Sequence, residues 1–138
     1  MASSTHLVFD GQCQSAFLFY QQLLRGTITT MVSYGEKGAS VAPRWRHLIA
    51  EVVLRADEFE LTGADILPDQ YRQPQESSVT LELQAPADAE RIYNALAEGG
   101  KITLPFQHTF WSSGFGMLVD RFGVSWEISS AERVVKKK

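Results

Sequence analysis

The sequence predicts an α+β fold of two strand-helix-strand-strand-strand (βαβββ) modules, their strands forming a curved mixed sheet around a cleft. Three observations carry this. Hydrophobic patterns run strand, helix, three strands, and then repeat in the same order. Asp65 to Ser77, without periodicity and with two prolines, separates the runs as a loop or link. Each helix can cover only one face of its sheet, so two modules bury or share their open faces and leave a concave surface of the kind that holds small molecules. A chain of 138 residues suits one domain, 1–138, with modules at about 5–65 and 78–129 and a tail at 130–138. The repeat is one of pattern, since the two halves share few letters.

Thr5 to Asp10 alternates as a strand, with Leu7 and Phe9 on one face and His6 and Val8 on the other. Asp10-Gly11 breaks it, and Cys13, Ala16, Phe17, Tyr20, Leu23 and Leu24 then recur at helical spacing, giving a helix near Gly11 to Arg25 with Gly26 just beyond its end. Thr27 to Tyr34, rich in Thr, Ile and Val, reads as a strand, Gly35 to Pro43 as a loop and Trp45 to Leu54 as the next strand. Ala56-Asp57-Glu58 turns the chain into a short strand, Phe59 to Ala64. In the second module Val79 to Leu83 alternates as a half-buried strand. Pro86 suits a first helical turn, and Ala89, Ile92, Tyr93 and Leu96 form a stripe on a helix from Pro86 to Glu98 that Gly99-Gly100 ends. Lys101 to Leu104 is a strand, Pro105 to Gly114 a long connection, and Phe115 to Asp120 and Val124 to Ser129 are the last strands.

Composition narrows the partners. Thirteen Lys plus Arg against sixteen Asp plus Glu leave a net charge of −3, which argues against nucleic acid, whose phosphates want a basic face. Lys136-Lys137-Lys138 reads as a solvated end. No apolar stretch reaches the ~20 residues that cross a bilayer, and Met1 to Thr5 has no signal-peptide pattern. A single cysteine, Cys13, allows no internal disulfide and fits a reducing cytoplasm; on an apolar helix stripe it reads as buried. The few charges on Thr27 to Tyr34 and Lys101 to Leu104 leave sheet edges open to a second copy, hence an expected homodimer.

Phe9-Asp10-Gly11, Phe19-Tyr20, Ala97-Glu98-Gly99-Gly100, Pro105, Thr109-Phe110-Trp111, Phe115-Gly116-Met117 and the run Asp120-Arg121-Phe122-Gly123-Val124-Ser125-Trp126 span nearly the whole chain. In these residues the sequence resembles the vicinal oxygen chelate superfamily, which includes glyoxalase I, bleomycin-resistance proteins and extradiol dioxygenases, and within it the PhnB-like group. The resemblance implies the glyoxalase/bleomycin-resistance-like fold. Some PhnB-like members carry a label as ubiquinone-pathway methyltransferases. This sequence has no Gly-rich strand-loop-helix of the kind nucleotide-type cofactors use, so that label is set aside.

Metal-using members of the superfamily place four His or Glu ligands on strands lining the cleft. Carried over by spacing from Phe19-Tyr20 and Gly123, these positions fall at Thr5, with His6 beside it, at or near Glu60, near Ser78 and at Glu127. The resemblance thus implies an incomplete set: no tightly held transition metal and no other cofactor, with a weakly bound divalent ion as the alternative. Sliding the first strand by one residue would bring in His6 but turn its neighbours to the wrong face, so His6 reads as a surface or helix-facing residue. Glu60 reads as an exposed strand carboxylate or a cleft residue. Glu127 reads as facing the cleft, an acceptor or base, because Trp126 and Ile128 occupy the other face of its strand.

Trp111 and Phe110 could wall the ligand or fill the core, whereas Phe115 reads as core. His108 sits in a connection where cleft residues are common, and His47 reads as a structural residue at a strand start. Asp120-Arg121 reads as a turn with an ion pair, given backbone freedom by Gly123. The function that follows is a small-molecule-binding protein of the PhnB-like group without a complete catalytic metal site. The alternative is a metal-dependent or carboxylate-base enzyme, of lyase, isomerase or dioxygenase type, acting on a small oxygen-rich substrate. A structural dimer module is a third reading.

Overall fold

The computed structural model describes residues 3–56, 59–67, 78–109 and 113–130. It divides into two compact units, Met1–Ser77 and Ser78–Lys138. In the first unit β1 (Ser3–Phe9) leads into α1 (Cys13–Leu24), followed by β2 (Thr27–Ser33), β3 (Ile49–Ala56) and β4 (Phe59–Asp65). The second repeats this with β5 (Ser78–Leu83), α2 (Pro86–Ala97), β6 (Lys101–Gln107), β7 (Phe115–Val119) and β8 (Ser125–Ser130). The four-stranded sheets are ordered β1-β4-β3-β2 and β5-β8-β7-β6. β1 runs parallel to β4 and β5 to β8; the remaining pairs are antiparallel. Each unit is thus a βαβββ module, as the hydrophobic patterns predict. No described helix is long and apolar enough to cross a membrane.

One face of each sheet packs under its helix. In the first unit Leu7, Phe9, Val52, Leu54 and Leu61 are buried against the α1 stripe Cys13, Ala16, Phe17, Tyr20 and Leu23. Phe17 is held edge-on by Phe9 and Tyr20, with ring centroids 6.1 and 5.7 Å apart. A Cβ on Gly63 would stand 2.6 Å from the Phe17 ring, so only glycine lets that ring meet β4. In the second unit Val79, Leu81, Leu118, Trp126 and Ile128 are buried with the α2 stripe Ala89, Ile92, Tyr93 and Leu96. Gly116 does there for Tyr93 what Gly63 does for Phe17, again at 2.6 Å.

Two buried carboxylates close the ends of this packing. The residue before α1, Gln12, provides no side-chain cap. Asp65 supplies one from the end of β4: its Oδ1 accepts the Gly11 and Cys13 N–H groups, each at 3.0 Å, and its Oδ2 accepts the Ile49 N–H at 2.9 Å. One carboxylate therefore ties together the starts of α1 and β3. Asp120 stands at the expected turn and is buried. Its Oδ1 accepts the Phe122 and Val124 N–H groups and its Oδ2 the Trp126 Nε1–H at 3.0 Å, while Gly123 closes the turn at φ 88°.

Several boundaries differ from the sequence reading. Trp45 to Leu54 is not one strand: Pro43–Trp45 forms a turn of 3-10 helix, where the fixed φ of Pro43 suits a first helical position, and β3 begins only at Ile49. His47 is therefore an exposed residue of the turn before β3. β6 continues through Pro105 to Gln107, because an outer strand tolerates a residue without an N–H. The register slips twice between β6 and β7, and twice between β2 and β3. At the end of α1 the left-handed residue is Arg25, φ 55°, and not Gly26.

Candidate functional site

Strand alternation assigns each candidate to a face. In β1, Leu7 and Phe9 are buried under α1, so Thr5 shares their helix-facing side and His6 and Val8 point to the open side. This corrects the sequence reading for Thr5, which does not belong to the open face; of the two places read for His6, surface or helix-facing, the exposed one holds, on the open face. The paired residue on β4 is Thr62, whose Oγ1 lies 2.7 Å from His6 Nδ1. Glu60 also lies on the open side, opposite Arg55, whose Nε donates to Glu60 Oε2 at 2.9 Å.

The second unit repeats the arrangement. On β5 and β8, Val79, Leu81, Trp126 and Ile128 are buried, which leaves Ser78, Thr80, Glu82, Ser125, Glu127 and Ser129 on the open face. Glu127 is half-buried, and its Oε1 accepts the Thr80 hydroxyl at 3.2 Å. Ser78 pairs with Ser125, one row away, and is exposed. On the other side of Glu127 lies Met117, 38% exposed, in a strand that also presents half-buried Phe115 and Val119. Phe115 therefore belongs to the open face and not to the helix-covered core. Leu104 of β6 is the cross-strand partner of Met117. His108, just past β6, is exposed. Phe110 and Trp111 lie outside the described residues.

The parallel strand pairs of the two units, β1–β4 and β5–β8, thus carry equivalent hydrogen-bonded pairs, His6–Thr62 and Thr80–Glu127. The spacing argument names Glu127 but misses Thr62 and Thr80, since it lands two residues away at Glu60 and Ser78. The alternation of Val79-Thr80-Leu81 shows which way Thr80 points; its pairing with Glu127 is a matter of register that no single strand reveals.

The superfamily's metal can be tested against these residues. Two positions carry hydroxyls, and the His6 and Glu127 side chains are both engaged by hydroxyls. Among the described residues no three His, Cys, Asp or Glu side chains are grouped to hold an ion. Threonine is a poor ligand for divalent transition metals, so this donor set does not fit one.

The model of the family described as 3-demethylubiquinone-9 3-methyltransferase matches residues 2–129. The chain belongs to that family. Within this PhnB-like family of the vicinal oxygen chelate superfamily, it is 36% identical to protein PA1353 from Pseudomonas aeruginosa, with a TM-score of 0.83 over 94% of this chain and 97% of that one. It is 29% identical over 139 residues to Protein YjdN of Escherichia coli (strain K12), covering 94% of this chain and 95% of that protein. A Bacillus cereus structure described as a putative 3-demethylubiquinone-9 3-methyltransferase, PhnB protein, shares the fold at 23% identity and a TM-score of 0.70, over 93% of this chain and 98% of that one.

Among the described residues, the methyl transfer in the family's description finds no Gly-rich cradle at the start of a helix. α1 and α2 are entered through Asp10-Gly11-Gln12 and Gln84-Ala85. Cys13 offers no nucleophile either. It is fully buried, and burial, with the Asp65 carboxylate adding to it, pushes the thiol far above its ordinary range. In this PhnB-like protein Cys13 is expected to resist iodoacetamide at pH 8 while the chain is folded and to react fully in denaturant. Rapid alkylation of the folded protein would show that α1 opens readily.

Proposed function

We propose that this protein binds a small molecule on the open sheet face around Glu127, without a tightly held transition metal. The Thr80–Glu127 pair beside Met117 carries the reading. It places a half-buried carboxylate, with one oxygen engaged by a hydroxyl, at the edge of an exposed apolar strip, and such sites combine apolar area with a few placed polar groups. The single cysteine, buried and free, is consistent with a cytoplasmic protein.

The carboxylate-base alternative uses the same atom. A bound substrate carrying an acidic C–H or O–H near Glu127 would find an acceptor there, so turnover remains the second reading of this geometry. Glu127→Gln keeps the shape and removes the charge. It is expected to weaken, by about tenfold, the binding of any ligand found by screening, while leaving the unfolding free energy within about 0.5 kcal/mol of wild type because the side chain is only half-buried. Unchanged affinity would refute the site. Metal analysis after dialysis is expected to find well under one equivalent; a stoichiometric, retained transition metal would overturn the metal-free part of the proposal.

A further inference from the structure

We propose that the open face of the second unit selects a small organic cation, an ammonium or amidinium group carried on an apolar body, with the charge seated at Glu127. This rests on the binding reading above and adds the ligand's charge and shape to it.

The face is divided lengthwise. β5 and β8 contribute four hydroxyls and two carboxylates, Glu82 and Glu127, and all of these can accept hydrogen bonds. β7 contributes Phe115, Met117 and Val119, and the β6 partner of Met117 is Leu104. The boundary runs between β8 and β7, and Glu127 stands on it, with Thr80 on the polar side and Met117 on the apolar side. Neighbouring strands lie about 4.8 Å apart, so the apolar side offers about 10 Å of width from Glu127 across β7 to β6. That accommodates a ring and a short alkyl chain.

Cations are kept away from this boundary. Among the described residues of the unit there are three, Arg91, Lys101 and Arg121. Arg91 lies on α2, 3.9 Å from Asp88. Arg121 lies over the Phe122 ring at 4.8 Å and lines the space beside Gly99, just after α2. Lys101 is the partner of Val119, in the row of Ser78 and Ser125 at the outer corner of the face, two strands over from β8. Among the described residues of the unit, an anion placed against Met117 would therefore meet carboxylates before any Lys or Arg, whereas a cation gains the field of both Glu127 and Glu82.

The test uses two probes with one body and opposite ends, phenylbutylammonium and phenylbutyrate, titrated into the full chain and followed by NMR shifts at Met117, Glu127 and Thr80. The ammonium ion is expected to bind roughly tenfold tighter or better, with the preference falling several-fold in Glu127→Gln and in high salt. Glu82→Gln, at an exposed position, should reduce it less. Equal or tighter binding of phenylbutyrate at these residues would overturn the charge selection and leave the binding site standing; a preference and affinity unchanged in Glu127→Gln would overturn both. If neither probe moves these signals at millimolar concentration, both the selection and the site are wrong.

Discussion

Asp65→Ala is expected to lower the unfolding free energy by about 3–5 kcal/mol. The carboxylate is 2% exposed and accepts three backbone N–H groups from two separate elements. Hydrogen bonds to a charged group are worth about 1.5–3 kcal/mol each, and the losses overlap because all three donors lose one partner. The alanine also leaves the Ile49 N–H without its acceptor at the start of β3. Asp65→Asn should cost less, since its carbonyl can still cap α1 while its amide meets the Ile49 N–H donor to donor. Urea unfolding followed by circular dichroism measures both. A loss below about 1 kcal/mol for alanine would show that water or a neighbouring group replaces the cap.

Trp126→Ala should cost a similar amount, about 3–5 kcal/mol, by a different route. Trp126 is 1% exposed, the largest fully buried side chain among the described residues, and its Nε1–H donates to Asp120 Oδ2. Removing it opens a cavity against α2 and strips the Asp120 turn of a donor. Met117→Ala supplies the contrast. Met117 sits in the same sheet, opposite Glu127, but at 38% exposure, and its truncation should cost under about 1 kcal/mol. Comparable losses at the two positions would mean that the open face is covered in solution.

The parts of the fold that repeat locally were legible in the sequence. The stripe Ala89, Ile92, Tyr93 and Leu96 has helical period, and the alternation Val124, Trp126, Ile128 fixes which way Glu127 points. Pairing between distant segments was not. Thr5 is misplaced because the spacing is counted from Phe19-Tyr20 on a helix, whereas its face follows from Leu7 and Phe9 packing under α1. Thr62 and Thr80 escaped notice because their importance lies in the register with His6 and Glu127, contacts across 56 and 47 residues. Asp65 looked like the first residue of a loop, since a carboxylate that caps another element's helix leaves no mark in its own neighbourhood. Pro105 reads as the start of a connection, although an outer strand tolerates a residue without an N–H.

The slips of register on β2 and β6 have a consequence for how the molecule behaves in a crowd. A sheet rim seeds fibrils when it offers an unbroken two-residue rhythm of donors and acceptors to an arriving strand. Here that rhythm is interrupted on each antiparallel rim, once on β2, between Ile28 and Thr30, and twice on β6, on either side of Leu104. Pro105 removes one more donor from the second rim. Both rims are thus poor templates for cross-β growth, although they carry few charges to repel a neighbour. A second copy that docks at these rims will therefore be held by side chains, and not by a continuous ladder of backbone bonds.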